Sequence, residues 1–158
     1  MNTDDQKAII IQTDTPVGAF WMIIYDDVVM QTGFGDAPKD LQYINADNHP
    51  YLTAINSYFD GDVDALSIIQ YKQRGSAFHE AVWRAMSTID PGKPVSYKRL
   101  AELAGYPTAF RAVGTACGAN NLPLIVPCHR VVKADGTIGN YAFGTDTKAW
   151  LLAHENRL

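Results

Sequence analysis

One stretch decides how the second half of this chain folds: Asn121-Leu122-Pro123-Leu124-Ile125-Val126-Pro127-Cys128-His129-Arg130. Its two prolines each remove a backbone donor and clash with the preceding turn, so the segment cannot continue as a helix. We therefore expect a fixed loop at the edge of a buried region. The loop would place the thiol of Cys128 directly beside the imidazole of His129.

The Cys128-His129 pair is a candidate for nucleophilic catalysis. An unperturbed thiol has a pKa of about 8.5, so only a small fraction is thiolate at neutral pH. We expect His129 to lower that pKa, and each unit of lowering requires about 1.4 kcal/mol of preferential stabilisation of the anion. Taken alone, the dipeptide also fits an ordinary core cysteine beside a surface histidine.

Length and composition describe a globular protein without covalent or metal crosslinks. The chain has 158 residues, 47% of them hydrophobic, which is enough for one large or two small cores. Its two cysteines, Cys117 and Cys128, lie in a sequence with no signal peptide and no apolar run long enough to span a bilayer. These features predict a cytoplasmic protein with free thiols. No group of Cys and His residues has zinc-like spacing, so we expect no metal.

Charge is distributed unevenly along the chain. Residues 1–70 contain eleven Asp and two Lys, whereas residues 71–158 contain eleven Lys or Arg and six acidic residues. Their net charges are therefore 2 − 11 = −9 and 11 − 6 = +5. An anionic partner such as a phosphate backbone would be attracted to the second half, although a solvated basic face is an equal alternative.

The first half has the pattern of a β-meander followed by a helix. Residues 8–13, 19–25 and 28–32 are rich in strand-forming side chains and are separated by turn residues. Residues 51–59 place apolar side chains on one helical face, so this helix is predicted to cover a three-stranded sheet. The polar stretch 70–75 predicts a boundary between an acidic N-terminal domain, residues 1–75, and a C-terminal domain, residues 76–158.

The second half has the pattern of a helix-turn-helix. Ser76 can cap a first core helix, and Ser96 can cap a helix over residues 97–104 that ends at Gly105. Another helix is predicted to begin at Pro107 and Thr108. The side chains expected to face inward are Leu100, Leu103 and Ala104 of the former and Ala109, Ala112, Val113 and Ala116 of the latter. A strand over residues 131–133 and a final helix over 147–154, capped by Thr145 or Asp146, complete the domain.

The outer face of the second helix of this pair carries one cation among small residues: Arg111, Gly114, Thr115 and Gly118. Each glycine costs about 1 kcal/mol in helix propensity relative to alanine. Close approach to the DNA minor groove, which is about 6 Å wide, is a plausible reason to tolerate that cost. Close packing against another helix of the protein is an equal alternative.

A set of motifs in one order runs through residues 76–155: Val95-Ser96-Tyr97, Ala109 to Gly114 with Arg111, Asn120, Pro123, Ile125 to Val132, Gly139-Asn140-Tyr141 and Lys148 with Trp150 to Glu155. With these residues the segment strongly resembles the O6-alkylguanine-DNA alkyltransferases, also called methylated-DNA–protein-cysteine methyltransferases. The resemblance implies an α+β fold with a ribonuclease-H-like N-terminal sheet and covering helix. It implies a mainly helical C-terminal domain of the winged helix-turn-helix type.

The resemblance also implies a reaction and its residues. Cys128 would accept the alkyl group of O6-alkylguanine, and of O4-alkylthymine, in one irreversible transfer. His129 would deprotonate the thiol through a water molecule, and Glu155 would orient His129. Tyr97 would donate a proton to guanine N3, and Asn120 would form the hinge after the recognition helix.

The same resemblance implies the DNA contacts and the substrate pocket. Arg111 would fill the space of the extruded base. The expected DNA-binding set is Tyr97, Ala109, Arg111, Ala112, Gly114, Thr115 and Gly118, and the expected pocket set is Pro123, Val131, Tyr141, Ala142, Phe143 and Lys148. The partner would be double-stranded DNA, with no cofactor, no membrane and a monomer in solution; cooperative assembly on DNA stays open.

Phe143 departs from the family pattern, which has small residues there. Its ring at the pocket mouth would exclude bulky O6 substituents while leaving methyl transfer intact. Three alternatives remain beside repair by alkyl transfer: a cysteine hydrolase, a lesion-binding protein of the alkyltransferase-like type, and a helix-turn-helix transcription factor. Cys128 argues against the second, and Gly114 and Gly118 argue against the third.

Overall fold

The computed structural model of the protein describes residues 8–39 and 48–156. The chain forms two compact units, Met1–Gln73 and Arg74–Leu158. The predicted domain boundary is at residue 75. Residues 1–7, 40–47 and 157–158 of the two predicted domains lie outside the described residues. None of the described helices is both long and apolar enough to cross a membrane.

The first unit contains the predicted three-stranded antiparallel sheet. Its strands are β1 (Ile9–Thr15), β2 (Gly18–Tyr25) and β3 (Val28–Phe34), in the order β1-β2-β3. Asp26 and Asp27 connect β2 to β3 with φ values of 52° and 63°. Two consecutive positive φ values give the turn the twist that antiparallel strands need, and short polar Asp side chains tolerate them.

Helix α1 (Pro50–Phe59) covers one face of this sheet, as the sequence predicted. His49 caps its first turn, because Nδ1 accepts a hydrogen bond from the Tyr51 amide at 3.1 Å. Thr13 of β1 is hydrogen-bonded to Asn56 of the helix at 3.1 Å. The core beneath contains the fully buried side chains Ile11, Phe20, Met22, Ile55 and Tyr58.

The second unit is mainly helical. Its elements in chain order are α2 (Ala77–Met86), β4 (Val95–Ser96), α3 (Tyr97–Ala104), α4 (Phe110–Gly118), β5 (Val131–Val132) and α5 (Thr145–Glu155). Ser76 and Ser96 cap α2 and α3 by accepting hydrogen bonds from the His79 and Arg99 amides. Gly105 ends α3 with a φ of 88°, in the left-handed region that favours glycine. The predicted α+β class is confirmed.

Several details of this unit differ from the prediction. Helix α4 begins at Phe110 instead of Pro107, and Ala109 caps it without a side-chain hydrogen bond. Ala112 is exposed, and Leu103 of α3 is 43% exposed, so neither faces the core. Gly144, and not Thr145 or Asp146, precedes α5. The predicted strand 131–133 ends at Val132 and pairs in parallel with β4, which local sequence did not predict.

Candidate active site

Cys128 begins a short 3₁₀ turn, Cys128–Arg130, at the end of the proline-flanked loop. The loop is held by its own backbone: the Val126 amide donates to the Leu122 carbonyl at 2.8 Å, and the Cys128 amide donates to the Val126 carbonyl at 2.8 Å. Leu122 and Val126 are buried, and they fix the loop to the core. Cys128 as a residue is half-buried.

Asn120 connects this loop to the end of α4. Its Nδ2 donates to the Val126 carbonyl at 2.9 Å, and its Oδ1 accepts from the Leu122 amide at 3.1 Å. The side chain also hydrogen-bonds the Cys128 sulfur. One amide therefore sets both the loop conformation and the surroundings of the thiol.

The two residues that follow Cys128, His129 and Arg130, form a buried network with Glu155. His129 Nε2 and Glu155 Oε2 are 2.8 Å apart, and both side chains are fully buried. Arg130 Nε donates to Glu155 Oε1 at 2.9 Å, and Arg130 Nη2 donates to Oε2 at 2.8 Å. This two-point contact matches the planar guanidinium to the carboxylate and fixes the carboxylate plane. Glu155 is thereby positioned to orient His129.

The hydrogen bond to Glu155 determines which nitrogen of His129 can accept a proton. Burial lowers the pKa of His129, although Glu155 opposes this effect, so the neutral imidazole is favoured. In the neutral ring, Nε2 carries the hydrogen and donates it to the carboxylate, which leaves Nδ1 as the acceptor. Nδ1 is buried and has no hydrogen-bond partner in the described part of the chain. His129 is therefore arranged as a base.

His129 does not bring the pKa of Cys128 below its ordinary value, because only the backbone amide of His129 is among the groups that lower it. Burial raises the pKa of Cys128 above its ordinary 9.0, because a thiolate loses hydration there. The hydrogen bond from Asn120, the charge of Lys148 and nearby backbone amides oppose this effect without overcoming it. Cys128 therefore rests as a thiol, and ionisation must be coupled to proton transfer.

Cys128 opens into a cavity of about 670 Å³ within the second unit. Its wall is formed by the outer face of α4, the cysteine loop and the segment before α5. The lining residues are Tyr97, Phe110, Arg111, Gly114, Thr115, Cys117, Gly118, Asn120, Pro123, Cys128, Lys133, Asn140, Tyr141, Ala142 and Phe143. Phe143 packs edge-on against Tyr141, with ring centroids 5.8 Å apart.

Tyr97 lines this cavity, and the buried side chain of Lys148 lies close to it. Lys148 Nζ is 6.0 Å from the centre of the Tyr97 ring, and it donates to the Asn140 carbonyl at 3.2 Å. Burial lowers the pKa of Lys148, and a negative charge on the sulfur of Cys128 or Cys117 would oppose that effect. Burial raises the pKa of Tyr97, so its hydroxyl remains a proton donor at neutral pH.

Most of the predicted site residues meet at this cavity. Those that line it are Cys128, Tyr97, Asn120, Arg111, Gly114, Thr115, Gly118, Pro123, Tyr141, Ala142 and Phe143. His129, Glu155, Val131 and Lys148 are buried and do not line it. Ala109 and Ala112 lie on α4 or at its start, away from the cavity lining.

Sequence reasoning gave no role to five residues that the structure places at the site. Phe110, Cys117, Lys133 and Asn140 line the cavity, and Arg130 holds Glu155. Arg130 directly follows the candidate catalytic pair Cys128-His129 in the sequence, and this position could have indicated a role at the site. The lining positions of Phe110 and Cys117 follow from helical spacing to Gly114, which also could have been used.

Comparison with known proteins identifies relatives for the second unit and for nearly the whole chain. The family model described as "6-O-methylguanine DNA methyltransferase, DNA binding domain" matches residues 77–157. The "Methylated-DNA--protein-cysteine methyltransferase" of Salmonella typhimurium is 33% identical and covers 91% of this chain and 93% of its own length. The "Bifunctional transcriptional activator/DNA repair enzyme Ada" of Escherichia coli is 52% identical over 82 residues, and the chain spans 23% of its length.

Solved structures extend the similarity to the fold. The crystal structure of Mycobacterium tuberculosis OGT in complex with DNA superposes with a TM-score of 0.84 at 30% identity, covering 94% of this chain and 92% of that one. Both units are thus part of the shared fold. The family model, the Salmonella relative and the Mycobacterium structure all point to the same family. The chain therefore belongs to the methylated-DNA–protein-cysteine methyltransferase family.

Proposed function

We propose that this protein repairs DNA directly by moving the alkyl group of O6-alkylguanine, or of O4-alkylthymine, onto Cys128. The observation that carries the proposal is the position of Cys128: it lines the cavity, and the next residue in the chain, His129, belongs to a buried network with Glu155 and Arg130. A base held in place next to a thiol that lines a cavity is what nucleophilic attack requires. The family membership of the chain supports the same substrate class.

The reaction follows from the atoms present. The thiol proton moves to His129 Nδ1, in the family through a water molecule, and Glu155 stabilises the imidazolium that forms. The sulfur attacks the saturated carbon on guanine O6; a sulfur–carbon bond forms as the carbon–oxygen bond breaks. Tyr97 protonates guanine N3, so the base leaves without net charge. The positive charge of Lys148 stabilises the thiolate of Cys128 and the phenolate that Tyr97 becomes when it gives up its proton.

The product explains why each molecule acts once. A thioether has no carbonyl that water can attack, so nothing in the site regenerates the thiol. An acyl-enzyme of a cysteine hydrolase would instead be hydrolysed and would turn over. The protein is therefore consumed in proportion to the lesions it repairs, and it needs no cofactor.

DNA is proposed to bind along the outer face of α4. Arg111, Thr115 and Gly118 lie along this face and line the cavity next to Cys128. The small side chains allow the helix backbone to approach the minor groove, and Arg111 would fill the space of the extruded base. We also propose a winged helix-turn-helix arrangement, a monomer in solution and a cytoplasmic location, with cooperative assembly on DNA to be tested.

The proposal is tested by incubating the protein with duplex DNA that contains one O6-methylguanine. The expected result is one added methyl group on the Cys128 peptide by mass spectrometry, with one lesion removed per protein molecule. The Cys128→Ser variant should bind the same DNA and transfer nothing. Repair of many lesions per molecule would favour the hydrolase alternative, and binding without methyl transfer by the wild type would favour the lesion-binding alternative.

A further inference from the structure

The outer face of α4 carries a large apolar side chain that the proposed reaction does not use. Phe110 is the first residue of the helix, and its side chain is 47% exposed. In the second unit, the described large apolar residues with comparable exposure are Leu103, Tyr106 and Phe110. Phe110 lines the cavity that contains Cys128, whereas Leu103 and Tyr106 do not.

Helical spacing organises this face into two adjacent rows. Phe110, Gly114 and Cys117 form one row, and Arg111, Thr115 and Gly118 form the other, because residues at i, i+4 and i+7 lie on one side of a helix. All six residues line the cavity. The large members of both rows, Phe110 and Arg111, thus stand together at the same end of the helix, and the rest of the face is small.

We infer that Phe110 is a second stacking residue, which covers the face of the base that loses its neighbour when the target guanine is extruded. The inference rests on the proposed function. Arg111 is suited to the vacated position, and Phe110 is the adjacent planar group on the same helical turn. Proteins that open the minor groove often insert apolar side chains at a base step in this way. A planar ring does so independently of base sequence, because every base presents an aromatic face.

The chemistry of the neighbouring residues favours a base over an apolar peptide as the group that covers this ring. Phe110 is flanked by Arg111, and Lys133 and Asn140 line the same cavity. A ring beside a cation at the edge of a polar cavity suits a nucleotide, which offers the aromatic face of its base and the negative charge of its phosphate together. On this inference, the Phe110 ring is exposed in the free protein because a DNA base covers it in the complex.

The test compares Phe110→Ala, Phe110→Trp and the control Leu103→Ala, which removes a similarly exposed side chain outside the cavity. Single-turnover methyl transfer is measured with the same O6-methylguanine oligonucleotide as a duplex and as a single strand. Loss of one base–aromatic stack predicts that Phe110→Ala slows transfer from the duplex about tenfold or more. Single-stranded substrate, whose base needs no extrusion, should react within about twofold of the wild type, given the small cost of presenting an unpaired base.

Two further results are expected. Phe110→Trp keeps a planar ring and should keep the duplex rate, and Leu103→Ala should match the wild type on both substrates. A 2-aminopurine placed beside the lesion should show weaker fluorescence enhancement on binding Phe110→Ala, because the opened state is less populated. Thermal unfolding of each variant confirms that the fold is retained.

Three outcomes would overturn the inference: no effect of Phe110→Ala, equal loss on duplex and single strand, or a Phe110→Trp variant as slow as the alanine variant. Equal loss would mean that the ring shapes the alkyl pocket instead of supporting the opened duplex. Failure of the proposed function is distinguishable, since the wild type would then leave no methyl group on Cys128 with either substrate.

Discussion

His129 Nε2 lies 2.8 Å from Glu155 Oε2 in a region where neither side chain has any exposed surface. The same carboxylate receives two hydrogen bonds from Arg130. A buried carboxylate between a neutral imidazole and a guanidinium keeps one negative charge matched by one positive charge. The orientation of the proposed base, His129, and the stability of the second unit therefore depend on one residue, Glu155.

Replacing Glu155 with Gln should destabilise the protein and slow methyl transfer together. Breaking a buried ion pair costs about 3–5 kcal/mol, because Arg130 is left charged and unpaired. Glu102→Gln is the matched control, because it breaks a 3.0 Å ion pair on the surface. In this pair the side chain of Arg99 is 57% exposed and that of Glu102 is 42% exposed. Its free energy of unfolding in urea should change by less than about 1 kcal/mol. Equal losses in the two variants would contradict the role given to Glu155.

Acid should weaken the fold through the same carboxyl group. Burial alone would raise the pKa of Glu155, but hydrogen bonds from His129 and Arg130 outweigh it and lower the pKa from 4.5 to about 2. A lowered pKa in the folded state gives stability that is complete above pH 4.5 and is lost as the pH falls towards about 2. Urea unfolding between these pH values should show this loss in the wild type and a smaller one in Glu155→Gln. Parallel curves would contradict it.

The rate of methyl transfer should vary little between about pH 6.5 and 9. Burial lowers the pKa of His129 below 6.5, so the imidazole stays neutral throughout this range and remains able to accept a proton. Burial raises the pKa of Cys128 above 9.0, so the thiol stays protonated throughout it. Rapid-quench measurements of single-turnover rates should show a fall only below pH 6.5 and a rise only above pH 9. An inflection near pH 8 would instead indicate a thiol with an ordinary pKa.

Phe143 should determine the size of the alkyl group that enters the cavity. Its ring lines the cavity and packs against Tyr141, so truncation to alanine opens the space beside Cys128. Phe143→Ala should accelerate reaction with O6-benzylguanine by about tenfold, the scale of steric discrimination in apolar pockets, and leave O6-methylguanine transfer nearly unchanged. Tyr106→Ala, an aromatic truncation outside the cavity, should change neither rate. Equal wild-type rates with the two substrates would contradict a selective role.

Local rules predicted the elements whose determinants lie within one turn of the chain. Ser96 and Gly105 delimit α3 as expected, since a cap needs only its own helix end. The same rules misplaced Leu103, because an eight-residue helix has two turns and the elements packed against it decide which side is buried. The pairing of Val95 with Val131 had no local signal, because strands this short form only through distant contacts.

The site was predictable in its residues and less so in its electrostatics. Cys128 and His129 were found from the sequence, and Glu155 was assigned through family resemblance, since its pattern was that of a helix-end acid. Its burial depends on Arg130, 25 residues away in the chain, which no local rule connects to it. The raised pKa of Cys128 was missed because adjacency to a histidine says nothing about how much water reaches the sulfur.

The protonated state of Cys128 has a consequence for the unreacted protein over time. Cells contain many small electrophiles and oxidants that attack thiolates far faster than thiols. A sulfur that stays protonated reacts slowly with these electrophiles and oxidants. Modification of Cys128 before it meets its substrate is therefore slow. Under the proposed function, the acceptor thiol would then persist until the protein meets an alkylated base.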